Sequence, residues 1–254
     1  MNPLRRLYEL FNSGGFEEVY RGIRDWTLIH TRLPIWKLYT TSTVSLNNTE
    51  IKIRIRTFED LWRCGGHGER KVQEDFLDEI KPDEILWDIG ANIGVYSLLA
   101  AKCGMRSFAF EPGDAARNSM KENVLLNKLS GSVYIIDKAL SDWSGEGVLL
   151  EAHRPGVRKI EKSGDGTPIE VYRPDELDYP DPNIVKIDVE GEEKRVLAGM
   201  EGKLSSCRVI YVEIHDGVET GEIIQLLSDY GFRLTEEFGD DPILKLEPIH
   251  THDS

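Results

Sequence analysis

The stretch Leu86–Leu99, LWDIGANIGVYSLL, joins an apolar strand, a glycine-containing turn and the start of a helix. A helix that begins after such a turn exposes backbone N–H groups at the carboxyl edge of a sheet, where α/β proteins bind their ligands. The sequence therefore predicts a ligand site at this turn. The residues around the turn indicate which ligand it suits.

The rest of the chain repeats this alternation of strand and helix. Together with the strand at 85–89, apolar strands are predicted at residues 107–111, 133–137, 184–188 and 209–214. Helices are predicted at residues 69–80, 92–103, 114–127, 192–200 and 220–230. Continuously apolar strands separated by helices are typical of a parallel sheet covered on both faces. The sequence thus predicts a doubly wound α/β fold.

Two segments depart from the alternation. Apolar residues at 232–235 and 243–246 flank the sequence GDDP and predict an antiparallel hairpin at the edge of the sheet. A long polar insert between the third and fourth strands contains DWSGEGVLLEA and GDGTPIEVY. Its composition predicts short antiparallel strands close to the ligand site.

The first 68 residues precede the alternation and differ from it in pattern. Apolar residues at helical spacing between residues 4 and 36 predict an accessory helical segment. Apolar alternation around Asn47 and Asn48 predicts a β-hairpin. We therefore predict an extension over 1–68 and a ligand-binding domain over 69–250. For the extension, three uses stay open: a lid, a peripheral membrane contact, and a packing or homodimer surface.

Composition narrows the class of protein. The formal net charge of −14 disfavours a nucleic-acid partner, because phosphate contacts need clustered Lys and Arg. Cys64, Cys103 and Cys207 lack the CxxC spacing of a zinc site or a disulfide framework, which favours a reduced cytoplasm. We find no signal-peptide core and no stretch near the roughly 20 apolar residues of an integral membrane segment. We expect a cytoplasmic globular protein.

The acidic residues beside the turn indicate a cationic nucleoside. A pyrophosphate turn uses G-x-G-x-x-G, whereas Gly90 and Gly94 are spaced G-x-x-x-G directly after Asp88, whose charge repels phosphate. Glu111 ends the next strand, where a ribose diol would lie. S-adenosylmethionine has a suitable group for each acid, because it carries a ribose diol and a positively charged ammonium group. Glu111 would accept from its ribose hydroxyls, the turn with Asn92 would admit its amino-acid portion, and Asp88 would help to hold its ammonium group.

Several stretches between residues 69 and 215 resemble the FkbM-type methyltransferases: WDIGANIGVYSLLAA, FAFEP, NVLLN, KALSDWSG, VKIDVEGEEKRVLAGM and YVEIH. The resemblance implies a Rossmann-like class I methyltransferase fold. It also implies S-adenosylmethionine-dependent O-methylation, commonly of sugar, polyketide or glycolipid hydroxyls, so that a small molecule or glycan is the expected acceptor. By the same resemblance, Lys138 and Ala139 would lie beside the adenine.

Polar residues at the ends of the fourth and fifth strands are the candidates for catalysis. Lys186, Asp188 and Glu190 come from KIDVEG, and Glu213 and His215 come from VEIH. His215 is the first candidate for the general base, because imidazole titrates near neutral pH; Asp188 or Glu190 is the next. Glu190 could instead complement a helix N-terminus, and Glu213 could pair with Lys186. A further alternative is that Asp188, Glu213 and His215 bind Mg²⁺, which would acidify the acceptor alcohol.

Two other functions stay open. One is methyl transfer to nitrogen or to RNA, although the net charge disfavours RNA and no NPPY-type motif follows the fourth strand. The other is S-adenosylmethionine binding without catalysis, which the crowded polar residues at the strand ends disfavour. The identity of the acceptor is not predicted, because acceptor specificity resides in variable loops.

Overall fold

Strands and helices follow one another in the order that the sequence predicts. In this computed structural model the described residues are 40–57, 60, 64, 69–151, 158–215, 217–239 and 242–249. The helices are α1 (Arg70–Glu79), α2 (Val95–Lys102), α3 (Asp114–Asn127), α4 (Glu193–Gly199), α5 (Glu201–Leu204) and α6 (Thr220–Asp229). The strands are β1 (Thr41–Leu46), β2 (Thr49–Arg54), β3 (Ile85–Ile89), β4 (Arg106–Phe110), β5 (Val133–Ile136), β6 (Lys138–Leu140), β7 (Gly145–Glu151), β8 (Arg158–Glu161), β9 (Thr167–Tyr172), β10 (Ile184–Ile187), β11 (Val209–Glu213), β12 (Phe232–Phe238) and β13 (Ile243–Pro248).

The main sheet has seven strands in the order β12-β13-β11-β10-β3-β4-β5. Its strands β5, β4, β3, β10 and β11 are parallel. Strand β13 is antiparallel to both of its neighbours and forms the predicted terminal hairpin with β12. The α/β class I methyltransferase architecture is confirmed. The strand order reverses between β3 and β10, and the crevice at such a reversal is the usual ligand site of an open α/β sheet.

Burial explains why β3 and α2 hold the turn between them firmly. All five residues of β3 are buried, as expected for a central strand covered on both faces. In α2 every residue from Val95 to Ala101 is buried. A helix that is buried on all sides has little freedom to move relative to the sheet. The turn from Gly90 to Gly94 is therefore fixed at both of its ends.

The polar insert forms a second sheet in the order β6-β9-β7-β8. Strand β7 is antiparallel to β8 and β9, as predicted, but β6 and β9 are parallel. Strand β6 begins two residues after β5 of the main sheet ends. The insert has a small hydrophobic core of its own, formed by Ala139, Leu149, Ile160 and Val171.

The hairpin predicted around Asn47 and Asn48 is confirmed as β1 and β2. Both asparagines have positive φ, 43° and 65°, as a tight two-residue hairpin turn requires. The helical segment predicted between residues 4 and 36 lies outside the described residues, so the domain boundary at residue 68 stays a prediction. In the described part of the chain, no helix combines the length and the apolar character needed to cross a membrane.

Candidate active site

The turn after β3 needs glycine at two positions. Gly90 has φ +81°, and a Cβ there would lie 1.8 Å from the backbone oxygen of Asp188. Gly94 has φ +87°, and a Cβ there would lie 2.7 Å from Cγ of Met120 on α3. The G-x-x-x-G spacing thus lets the turn approach the end of β10 on one side and α3 on the other.

Asp88, the last polar residue of β3, is buried beneath the turn. Its Oδ2 accepts hydrogen bonds from the backbone N–H of Ser97, at 3.0 Å, and from the hydroxyl of Ser97, at 2.5 Å. Burial raises the pKa of Asp88 to about 6, against the opposing effect of these hydrogen bonds. The carboxylate predicted to hold an ammonium group therefore also caps the first turn of α2.

Glu111 follows β4 at the same edge of the sheet and is buried. Its Oε2 accepts from the backbone N–H of Asn92, at 3.1 Å, and its Oε1 accepts from that of Gly113, at 2.7 Å. These bonds connect the turn to the residue before α3. Each carboxylate oxygen can accept more than one hydrogen bond, so Glu111 retains the capacity to accept from a diol.

Lys138 and Ala139 are engaged within the insert. Lys138 Nζ donates to Oε2 of Glu170, at 3.0 Å, and lies 3.7 Å from the centre of the Tyr172 ring. Ala139 is buried in the small core of the insert. The adenine contact that the resemblance implies for Lys138 and Ala139 stays a prediction.

Asp137, immediately before Lys138, is a residue that the sequence analysis missed. Phe110 of β4 pairs with Ile136 of β5, so Asp137, which follows β5, lies beside Glu111, which follows β4. With Pro112 it lines a cavity of about 510 Å³ that the insert strands β7 and β9 also border. The signal was available, because Asp137 ends the third strand as Glu111 ends the second.

Lys186 lies in β10 with its side chain only 1% exposed. Its Nζ donates to Oε2 of Glu213, at 3.0 Å, and lies 4.0 Å from Oδ2 of Asp188. Burial by itself lowers the pKa of Lys186, but the charges of Glu213, Asp188 and Glu69 outweigh burial and raise it. Lys186 therefore stays charged, and the pairing with Glu213 that the sequence left open is present.

Tyr96 and Glu69 complete the surroundings of Lys186, and neither was selected from the sequence. Lys186 Nζ lies 5.3 Å from the centre of the Tyr96 ring. The hydroxyl of Tyr96 donates to Oε2 of Glu69, at 3.0 Å. Burial is the main cause of the raised pKa of Glu69. Glu69 precedes α1 and Tyr96 belongs to α2, so sequence spacing gave no reason to join them to β10.

His215 lies two residues beyond β11 and is surrounded by carboxylates. Its Nε2 is 3.4 Å from Oδ1 of Asp188, 3.7 Å from Oε1 of Glu213 and 3.8 Å from Oε2 of Glu190. Its Nδ1 lies 2.7 Å from Oε1 of Glu193. Burial by itself lowers the pKa of His215, but the hydrogen bond to Glu193 and the surrounding charges outweigh it and raise the pKa to about 9.

Glu190 belongs to this cluster and not to the first turn of a helix. Helix α4 begins at Glu193, and the residue at its N-cap position is Glu192. Glu190 has a φ of 54°, an uncommon value for a residue with a side chain. Positive φ at such a residue is often found where a side chain is held for function. Glu190 lies two residues before the N-cap of α4, and the alternative that it complements this helix N-terminus stays open.

Three members of the cluster could offer ligand atoms to a metal ion. The nearest such atoms of Asp188, Glu213 and His215 all lie within 4.8 Å of one another. The set combines two carboxylate oxygens with one imidazole nitrogen. Mg²⁺ prefers oxygen ligands in an octahedral arrangement, so the nitrogen makes the set a poor match for Mg²⁺.

The family model and two curated relatives agree on one family. The family described as Methyltransferase FkbM domain matches residues 88–234. Hexuronic acid methyltransferase AglP of Haloferax volcanii is 31% identical over 217 residues, which cover 82% of this chain and 86% of that protein. The 31-O-demethyl-FK506 methyltransferase FkbM of Streptomyces tacrolimicus is 28% identical over 214 residues, covering 68% of this chain and 80% of that protein.

Among solved structures, a methyltransferase FkbM from Methylobacillus flagellatus superposes with a TM-score of 0.48 at 16% identity. The superposition covers 72% of this chain and 52% of that chain.

Proposed function

Because the chain belongs to the FkbM methyltransferase family, we propose that it transfers a methyl group from S-adenosylmethionine to a hydroxyl of a sugar, glycan or glycolipid. The observation that carries this proposal is a contact at one edge of the sheet. There the turn from Gly90 to Gly94 lies against the backbone of Asp188, whose carboxylate is one of those around His215. The turn proposed to hold the cofactor and the histidine proposed to accept a proton are therefore neighbours in space. The name of AglP refers to a hexuronic acid, which supports a sugar as the acceptor.

The residues around the turn fit S-adenosylmethionine. Gly90 lets the turn lie against the backbone of Asp188, which places the turn at the end of β10. Glu111 presents a buried carboxylate for the ribose hydroxyls. We assign the adenine to the cavity that Pro112 and Asp137 line together with residues of α3 and of the insert, several of them charged. Asp88 would favour the ammonium group by its negative charge beneath the turn.

The residues of β10 and β11 would act on the acceptor. S-adenosylmethionine, when bound, supplies a methyl group on a sulfonium that is already a good leaving group. The chain must therefore orient the acceptor hydroxyl and take its proton. We assign proton acceptance to Nε2 of His215. Asp188 and Glu213 would stabilise the imidazolium that forms, and Lys186 would hold Glu213 in place.

His215 can accept a proton from the acceptor only when its Nε2 is unprotonated. With a pKa of about 9, the imidazole is protonated at neutral pH in the absence of ligands. Positive charge brought near the cluster disfavours that proton by Coulomb repulsion and lowers the pKa. His215 would therefore become an effective base in the complete complex at a lower pH than in the free enzyme.

Replacing Glu111 by glutamine is expected to weaken S-adenosylmethionine binding by roughly 10- to 100-fold, because charge-assisted hydrogen bonds to the ribose are lost. Isothermal titration calorimetry measures this affinity. Glu122→Gln is the matched control, because it removes the same charge from an exposed position on α3. Equal affinity of Glu111→Gln and the control would remove the basis for the ribose contact.

Incubating the protein with labelled S-adenosylmethionine and sugar acceptors tests the reaction itself. We expect a methyl ether that is stable to mild base, formed equally well with EDTA present, because the cluster matches Mg²⁺ poorly. Activity lost in EDTA and restored by Mg²⁺ would favour the metal alternative. A base-labile methyl ester on a uronic acid would show that the accepting oxygen is a carboxylate. Labelled amine or RNA, or no labelled product, would contradict the proposal.

A further inference from the structure

Glu193 makes the shortest contact to the imidazole of His215. Its Oε1 lies 2.7 Å from Nδ1, whereas the carboxylates that face Nε2 lie at 3.4 Å or more. The backbone N–H of Gly191 donates to the same Oε1, at 3.0 Å. One oxygen atom of Glu193, at the start of α4, therefore contacts both Gly191 and the ring of His215, which follows β11.

Glu193 is a fully buried carboxylate, which makes this arrangement costly. The side chain of Glu193 is 0% exposed. Its second oxygen, Oε2, is buried without a hydrogen-bond partner among the described residues. Leaving a buried carboxylate oxygen unpaired costs free energy. A carboxylate retained under these conditions points to a role in the reaction.

We propose that Glu193 is the positioning residue of His215. It accepts the Nδ1–H bond and thereby directs Nε2 towards the acceptor hydroxyl. This inference rests on the proposed function, because it assumes that His215 takes the acceptor proton. The Glu193 carboxylate receives no proton itself. The proton moves from the acceptor oxygen to Nε2, Nδ1–H remains bonded to Glu193, and Nε2 later releases the proton to solvent.

The geometry separates Glu193 from the other acids of the cluster. Asp188, Glu190 and Glu213 all face Nε2, which is the nitrogen that must be free to receive a proton. Glu193 alone among the described carboxylates contacts Nδ1 within hydrogen-bond distance. A carboxylate on Nδ1 fixes both the tautomer and the ring orientation of a histidine, as in hydrolase triads. Without this contact, either ring nitrogen could face the acceptor.

Replacing Glu193 by glutamine is expected to lower kcat by about 10²- to 10⁴-fold, with the S-adenosylmethionine Kd and the acceptor KM within about threefold of wild type. The matched control is Glu192→Gln. Glu192 is the adjacent residue and accepts from Ser141 Oγ, at 3.0 Å, without contacting His215. The control is expected to keep kcat within about twofold. Glu193→Asp, which retains the charge with a shorter side chain, should recover part of the lost kcat.

Nuclear magnetic resonance on the ligand-free wild-type protein tests the hydrogen bond independently of activity. We expect a strongly downfield Nδ1-bound proton of His215 that disappears in His215→Gln and in Glu193→Gln. Absence of this resonance in the wild type overturns the proposal even if Glu193→Gln fails to fold. A kcat of Glu193→Gln equal to that of the control overturns it as well, as does an equal weakening of cofactor binding and turnover.

The proposed function can fail separately from this inference. A wild-type protein that methylates nitrogen and not oxygen contradicts the proposed function, and the Glu193 comparison is then made with that acceptor. A His215→Gln variant with full activity on a sugar leaves the proposed function standing and overturns the role of Glu193.

Discussion

Replacing Gly90 by alanine is expected to destabilise the protein by about 2–5 kcal/mol and to abolish measurable cofactor binding. The new Cβ would lie 1.8 Å from the backbone oxygen of Asp188, and the residue would have to keep a φ of +81°. Neither neighbour can move easily, because β3 and β10 are paired along their length in the centre of the sheet. Denaturant unfolding measures the loss of stability, and calorimetry measures the affinity for S-adenosylmethionine.

Gly221→Ala is the matched control for this substitution. Gly221 lies in α6, and a Cβ there would have nothing within 4 Å. Alanine in a helix is favoured over glycine, so the control should be neutral or stabilising by up to about 1 kcal/mol. If Gly90→Ala behaves like Gly221→Ala and binds the cofactor normally, the turn does not hold the methyl donor.

Replacing His215 by glutamine is expected to lower kcat by about 10²- to 10⁴-fold, because the proposed proton acceptor is removed. The S-adenosylmethionine Kd should change little, since Gly90 and Glu111 hold the cofactor in our proposal. Asp188→Asn is the informative comparison, because Asp188 is the next candidate for the base. A much larger loss in Asp188→Asn than in His215→Gln would assign proton acceptance to Asp188.

The pH dependence distinguishes the two candidates by its sign. A histidine base must be unprotonated, so kcat/KM of the wild type should rise with pH and level off above about 9, the pKa in the free enzyme. The corresponding limb of kcat should lie at lower pH, because bound positive charge lowers the pKa of His215. A carboxylate base assisted by protonated His215 predicts the opposite: a level rate near neutral pH and a fall above about 9.

Local patterns predicted most of the fold because strand and helix formation depend on nearby residues. Helix α3 covers the predicted residues 114–127, and β3 covers the predicted 85–89. The parallel pairing of β6 with β9 was not predicted. Such a pairing joins segments that are about thirty residues apart, and neither segment alone carries a signal for it.

The residues around His215 were predicted in part from their positions at the ends of predicted strands. Asp188 and His215 follow adjacent parallel strands, whose carboxyl ends must lie together, and the structure places them 3.4 Å apart. Glu193 was missed because it belongs to a helix, and no periodic pattern shows that its carboxylate turns towards His215. The adenine contact inferred for Lys138 came from the resemblance and stays a prediction; in the structure Lys138 Nζ donates to Glu170.

The sequence by itself determined the order of strands and helices, the glycine turn after β3 and the acids that indicate S-adenosylmethionine, because these depend on residue type and spacing along the chain. Only the tertiary structure decided the protonation of the site. The pKa of His215 is raised to about 9 because carboxylates from residues 188–193 and from Glu213 at the end of β11 surround one imidazole and outweigh the opposing effect of burial. Electrostatic energy depends on distance in space, and sequence spacing does not give that distance.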